Sequence, residues 1–176
     1  MSLLEDVLAP GYLDGLESWS LEDVRARRDV ATEVETGLSY LRRIIQGRLD
    51  ILLAEQRRRR DPAGGGDLTS LVEELPSILS DHVHAPGLGR LPALMGPGEL
   101  DTELESRLEA VIPASHLAAI DSLDDAEVSS ACAGLVELER AVSAQRRSVF
   151  EVLDRLQDEI VRRYGTGEAT VDSLLP

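Results

Sequence analysis

Cysteine is nearly missing from this chain: Cys132 stands alone among 176 residues, which excludes an internal disulfide and fits a reducing compartment. Aromatic residues are scarce as well, with one Trp, one Phe and three Tyr. A core left to Leu, Val, Ile and Ala favours helix packed on helix over a sheet sandwich or barrel. No apolar run approaches the ~20 residues of a membrane span. The opening Met1-Ser2-Leu3-Leu4-Glu5-Asp6 lacks the basic stretch and long apolar segment of a signal peptide, so the reading is cytoplasmic. Basic residues are outnumbered, eighteen against thirty-three acidic, for a formal net charge of -15. Such a surface repels nucleic acid and acidic lipid and suits a basic protein partner or simple solubility. The length suits one domain, and the expected class is all-α.

What the chain does have is one ladder of polar side chains written twice. The first copy is Glu35, Ser39, Arg42, Gln46 and Asp50; the second is Glu139, Ser143, Arg146, Phe150 and Asp154. The spacing is E-x3-S-x2-R-x3-Q-x3-D, broken only where Phe150 stands in place of Gln. At ~100° per residue the five positions fall within ~80° of arc, so each copy forms one polar stripe on a helix. Charged stripes on long helices are usually solvated faces with ion pairs of ~0.2–0.5 kcal/mol each. Solvation, however, requires no particular order of residue types, and here the order recurs.

The residue types point to a ligand. Arg presents a planar fork suited to phosphate or to O6 and N7 of a purine, while carboxylates accept from the amide and exocyclic amine of guanine's other edge. A second guanidinium follows the first in each copy, at Arg43 and Arg147. These can neutralise phosphates or stack on base planes. Ser39 and Ser143 are small enough to let a flat ring approach the backbone. A guanine nucleotide carrying phosphates fits better than a bare base.

The punctuation of the chain divides it into residues 1–19, a turn and loop; 20–61, a long helix; 62–121, a linker with short helices; 122–165, a second long helix; and a tail, 166–176. Ser20 is a good N-cap with Glu22 and Asp23 in the first turn, and nothing breaks the pattern before Asp61-Pro62. About forty residues at ~1.5 Å each is a coiled-coil length. Arg57, Arg58, Arg59 and Arg60 complement the carbonyls at its end or meet a phosphate or a partner. Gly64-Gly65-Gly66 reads as a linker, followed by a short helix from about Asp67 to Ser80, a Gly/Pro-rich stretch over 81–98, and a helix over Glu99–Ile112 ended by Pro113. Ser122-Leu123-Asp124-Asp125 echoes Ser20-Leu21-Glu22-Asp23 and opens the second long helix, expected to run to Tyr164 before Gly165.

Apolar seams accompany the ladders: Val34, Leu38, Leu41, Ile45, Leu49 and Leu52 on one helix, and Leu135, Leu138, Val142, Val149, Leu153, Leu156 and Ile160 on the other, interrupted by Gln145. The shift that carries Glu35 onto Glu139 also carries Leu38 onto Val142 and Ile45 onto Val149, so seam and ladder repeat together. Seam-to-seam packing is expected to leave both ladders exposed beside the join. The intervening segment serves a parallel or an antiparallel pair equally well.

The ladder resembles the signature of the RsiG family, actinobacterial anti-sigma factors that need cyclic di-GMP to hold the sporulation sigma factor WhiG. The likeness extends to Gly11-Tyr12-Leu13, to the run from Ser20 through Arg28, to Ser39-Tyr40-Leu41-Arg42-Arg43, and to Gly47 through Leu52. It covers roughly residues 10–60 and 122–164. The resemblance implies a long antiparallel two-helix coiled coil with short flanking helices, two cyclic di-GMP molecules, a WhiG-type sigma factor that covers them, and no enzymatic activity. Ligand contacts would come from Glu35, Ser39, Arg42, Arg43, Gln46, Asp50, Glu139, Ser143, Arg146, Arg147, Phe150 and Asp154.

Two readings of other classes compete. His82 and His84, with His116 elsewhere, raise a metal site, but His-x-His in a Gly/Pro-rich loop has no third ligand at a persuasive spacing, so no metal is expected. No Ser-His-Asp order or phosphate-cradling loop is visible. The remaining rival is a structural coiled-coil adaptor whose stripes are only solvated.

Overall fold

The computed structural model describes residues 2–60 and 102–168. Every regular element among them is helical: α1 (Leu3–Val7), α2 (Leu21–Arg60), α3 (Thr102–Val111), α4 (Ala114–Ala118) and α5 (Asp125–Thr166), with 3-10 turns at Leu16–Ser18 and Ile120–Ser122. The class is all-α, with the two long helices antiparallel. The expected helix over 67–80, the glycine linker and the Gly/Pro-rich stretch lie outside the described residues.

Both long helices are started by reciprocal caps. The Asp23 N–H donates to Ser20 Oγ at 3.0 Å and the Ser20 N–H donates to Asp23 Oδ2 at 3.3 Å. For α5 the same pair is made by Asp124 and Glu127, each N–H donating to the other's carboxylate at 2.7 Å. Ser122 is therefore not the cap that its sequence echo implied. It closes the 3-10 turn, its hydroxyl donating to the Ala119 carbonyl at 2.7 Å. The true equivalent of Ser20 is Asp124, reached by the same shift that carries Glu35 onto Glu139. The far end also departs from expectation. α5 passes through Gly165 and stops after Thr166, where Gly167 takes φ 78°, a left-handed conformation that glycine adopts without a Cβ clash.

The chain divides into two compact units. Of the described residues, the first takes 2–40 and 142–168 and the second takes 41–60 and 102–141. In the first unit the start of α2 runs antiparallel to the end of α5: Arg25 meets the Tyr164 hydroxyl, and Glu35 meets Arg146. Its core holds Val24, Ala31, Val34 and Leu38 of α2, Val142, Val149, Leu156 and Ile160 of α5, and Leu4, Val7 and Tyr12 of the N-terminal segment. That segment is tied down by Arg27, whose Nη1 donates to the Tyr12 carbonyl at 2.6 Å and whose guanidinium lies 4.2 Å from the Trp19 ring centroid.

In the second unit the end of α2 runs antiparallel to the start of α5, with Arg42 at Glu139 and Arg59 at Asp125. Leu41, Ile45 and Leu52 share its core with Val128, Leu135 and Leu138, and Leu104, Leu108 and Ile112 pack there from α3 and its end. Arg48 fixes that end, its Nη1 donating to the Ile112 carbonyl at 2.6 Å. The expected seam is thus buried, apart from Leu49 and Leu153, which are half-buried.

Candidate functional site

Each unit contains one carboxylate–guanidinium pair that joins the two ladders. In the second unit Arg42 Nε donates to Glu139 Oε1 at 2.8 Å, and Gln46 Nε2 reaches the same oxygen at 3.4 Å. In the first unit Arg146 Nε donates to Glu35 Oε1 at 2.8 Å and to Ser39 Oγ at 2.7 Å, while the Ser39 hydroxyl donates to Glu35 Oε1 at 2.6 Å. Each copy of the ladder therefore supplies the acid for the other copy's base. The expectation that both ladders stand exposed beside the seam holds for Phe150 and Asp154, whereas the other eight ladder residues are half-buried. Antiparallel pairing places the Glu of one helix opposite the Arg of the other, and opposite charges on facing helices close on each other once partly shielded from water.

The remaining ladder residues are placed as follows. Asp50 is half-buried on α2, Ser143 is half-buried and engaged on α5, Arg43 is exposed and engaged on α2, and Arg147 and Asp154 are exposed on α5. Phe150 is exposed at 38% of its surface, with the Arg146 guanidinium carbon 4.7 Å from its ring centroid. Gln145, the polar break in the seam, keeps its Oε1 buried without a hydrogen-bond partner.

The repeat continues beyond the ladder. The same shift carries Glu55, Arg58 and Arg59 onto Glu159, Arg162 and Arg163, and both trios do one job. Glu55 is buried under Arg58 and Arg59; Arg59 Nη2 donates to the Ile120 carbonyl at 3.0 Å, and Arg58 meets Asp121 at 2.9 Å. Glu159 is buried under Arg162 and Arg163, and Arg163 donates to the carbonyls of Trp19 at 2.7 Å and Leu16 at 3.0 Å. In each unit the end of one long helix thus clamps the 3-10 turn that leads into the other. Hydrogen bonds from Arg162 first, and then from Arg163, hold the Glu159 carboxyl down to about 2 against the opposing effect of burial. Arg58 and then Arg59 lower Glu55 in the same way. The arginines at the end of α2 were open between complementing the helix end and meeting a phosphate or partner; Arg58 and Arg59 pair within the fold, with Glu55, Asp121 and Asp125. The two trios lie beyond the Asp that ends each ladder, outside the spacing E-x3-S-x2-R-x3-Q-x3-D. They recur within about two and a half further turns of each helix, at the same offset as the ladder.

Chemically, the arrangement offers guanidinium forks, half-shielded carboxylates and one exposed ring. The chain contains no lysine, so every side-chain cation other than histidine is a planar fork suited to bidentate anion recognition. Among the described residues no group of three or more His, Cys, Asp or Glu is placed to hold a metal; His116 lies there, exposed, whereas His82 and His84 lie outside them. No helix among the described residues is long and apolar enough to cross a membrane. No curated protein matches the chain. The N-terminal segment and α2 are different: residues 10–79, which include the whole first ladder, match the family model described as RsiG-like.

Proposed function

We propose that this chain is an anti-sigma factor that binds cyclic di-GMP on its twin ladders and, when loaded, sequesters a WhiG-type sigma factor. The observation that carries this reading is the RsiG-like match over α2 together with the recurrence of the matched ladder on α5, outside the matched residues. Arg42, Arg43, Arg146 and Arg147 balance phosphate charge or pair with guanine O6 and N7; Asp50 and Asp154 accept from guanine N1 and N2. Glu35 and Glu139 are held by the arginines of the opposite helix, which fixes the guanidinium planes before the ligand arrives. Two ladders suit two molecules of a ligand that is itself twofold.

The ladders are partly open to water, and charged hydrogen bonds gain strength only once water is excluded, to about 1.5–3 kcal/mol each. A sigma factor covering the ligand supplies that exclusion, so nucleotide and protein bind with positive coupling. The net charge of -15 suits the basic DNA-binding surfaces of such a partner. Calorimetric titration tests the site: Arg42→Ala and Asp50→Ala each weaken cyclic di-GMP binding, and unchanged affinity in both removes these residues from it. Sizing chromatography with a WhiG-type sigma factor, with and without nucleotide, tests the partner; a nucleotide-independent or absent complex defeats the proposal.

One observation favours the structural adaptor. The Glu–Arg pairs engage each other across the helices, so the order of ladder residues also specifies helix register. Thermal melting separates the two readings. A ligand at about a hundred times its dissociation constant adds ~2.7 kcal/mol, and an adaptor shows no shift, alone or with the sigma factor.

A further inference from the structure

The shift that carries Glu35 onto Glu139 preserves Ser39, Arg42, Arg43 and Asp50 and fails at one rung, where Gln46 becomes Phe150. The two residues behave differently. Gln46 shares the Glu139 oxygen with Arg42, adding a second donor to that carboxylate. Phe150 has no donor to give Glu35, which accepts from the Ser39 hydroxyl and from Arg146, while Ser39 also accepts from Arg146. The freed rung holds an aromatic ring against the Arg146 guanidinium, 4.7 Å from centroid to cation, and 38% of the residue faces water. A ring recruited only for packing would lie in the seam, as its neighbour Val149 does at 0% exposure. Phe150 lies outside the seam, on the polar stripe, with a cation beside it. Rings so placed stack planar bases without regard to base identity.

We propose that the two ladders form unequal half-sites, the Phe150–Arg146 pair in the first unit holding a purine ring by stacking and the Gln46 side in the second unit holding its ligand by hydrogen bonds. This rests on the reading of the ladders as a cyclic di-GMP site. It assigns Phe150 a stacking role where Gln46 acts by hydrogen bonding, and it makes the two binding events distinguishable in affinity.

The test titrates cyclic di-GMP into the full chain as wild type, Phe150→Leu and Phe150→Trp, with helical content checked by circular dichroism. Phe150→Leu keeps an apolar side chain and loses the π face, so one of two binding phases weakens roughly ten-fold. Phe150→Trp keeps the face and retains the affinity, and nucleotide changes its emission beyond the response of Trp19 in the wild type. Wild-type affinity in Phe150→Leu overturns the proposal, as does unmoved emission from Phe150→Trp whatever Phe150→Leu does, because a base stacked on an indole alters its fluorescence. Either result leaves wild-type nucleotide binding intact and the ligand reading standing. Failure of the wild type to bind, alone and with the sigma factor, removes both.

Discussion

Glu139 accepts from Arg42 at 2.8 Å across ninety-seven residues of chain, and the repeat places Glu35 against Arg146 at the same 2.8 Å. Each pair is the signature of antiparallel packing in register, since sliding either helix by one turn separates acid from base by about 5.4 Å. The pairs therefore act as register markers whether or not a ligand binds.

A double-mutant cycle measures the marker. Arg42→Ala, Glu139→Ala and the double variant are expected to yield a coupling of about 0.5–1 kcal/mol, because the side chains are 37% and 23% exposed and solvent screens the attraction. Additive single effects in urea unfolding remove Arg42–Glu139 as a stabilising contact.

The Glu159 clamp makes stability depend on acid. Its carboxyl sits at about 2 in the folded protein against 4.5 for the unperturbed group. The folded value is the lower one, so the contribution is complete above about 4.5 and is lost as pH falls toward about 2. Glu159→Gln is expected to flatten this acid limb of the unfolding midpoint while lowering stability at neutral pH. A limb as steep as that of the wild type shows that Glu159 does not drive it.

Removing the basic half of that clamp tests the N-terminal segment. Arg163 is 7% exposed and bonds to Glu159, Trp19 and Leu16. Arg163→Ala is expected to cost about 3 kcal/mol or more, since it leaves a buried carboxylate short of a partner. It should also shift the emission of Trp19, the chain's single tryptophan, to the red. Loss of stability with Trp19 emission unchanged separates the clamp from the segment.

Two helical glycines are expected to respond with opposite signs. A Cβ on Gly134 meets Val111 Cγ1 at 2.8 Å, and Val111 is β-branched and stiff, so Gly134→Ala costs about 1–3 kcal/mol by overpacking. A Cβ on Gly47 meets nothing within 4 Å, so Gly47→Ala gains about 0.5–1 kcal/mol from helix propensity. Thermal melts showing equal shifts contradict the close approach at Val111.

Much of this protein is legible in its residues. The scarcity of aromatics and the three-and-four spacing of Leu, Val and Ile set an all-α chain with two long helices, because burial of an apolar stripe needs only local periodicity. Ser20 with Asp23 marked the start of α2 for the same local reason. The doubled ladder, with its single Gln-to-Phe break, was visible as a pattern. Tertiary structure decided what the pattern touches. Direction of packing is not encoded in either seam, since apolar side chains attract without orientation. Only the antiparallel arrangement turned Glu35 toward Arg146, Glu139 toward Arg42, and the ends of the long helices onto the turns before Ser20 and Asp124. Those contacts join residues distant in sequence, and no local rule of spacing reaches across that separation.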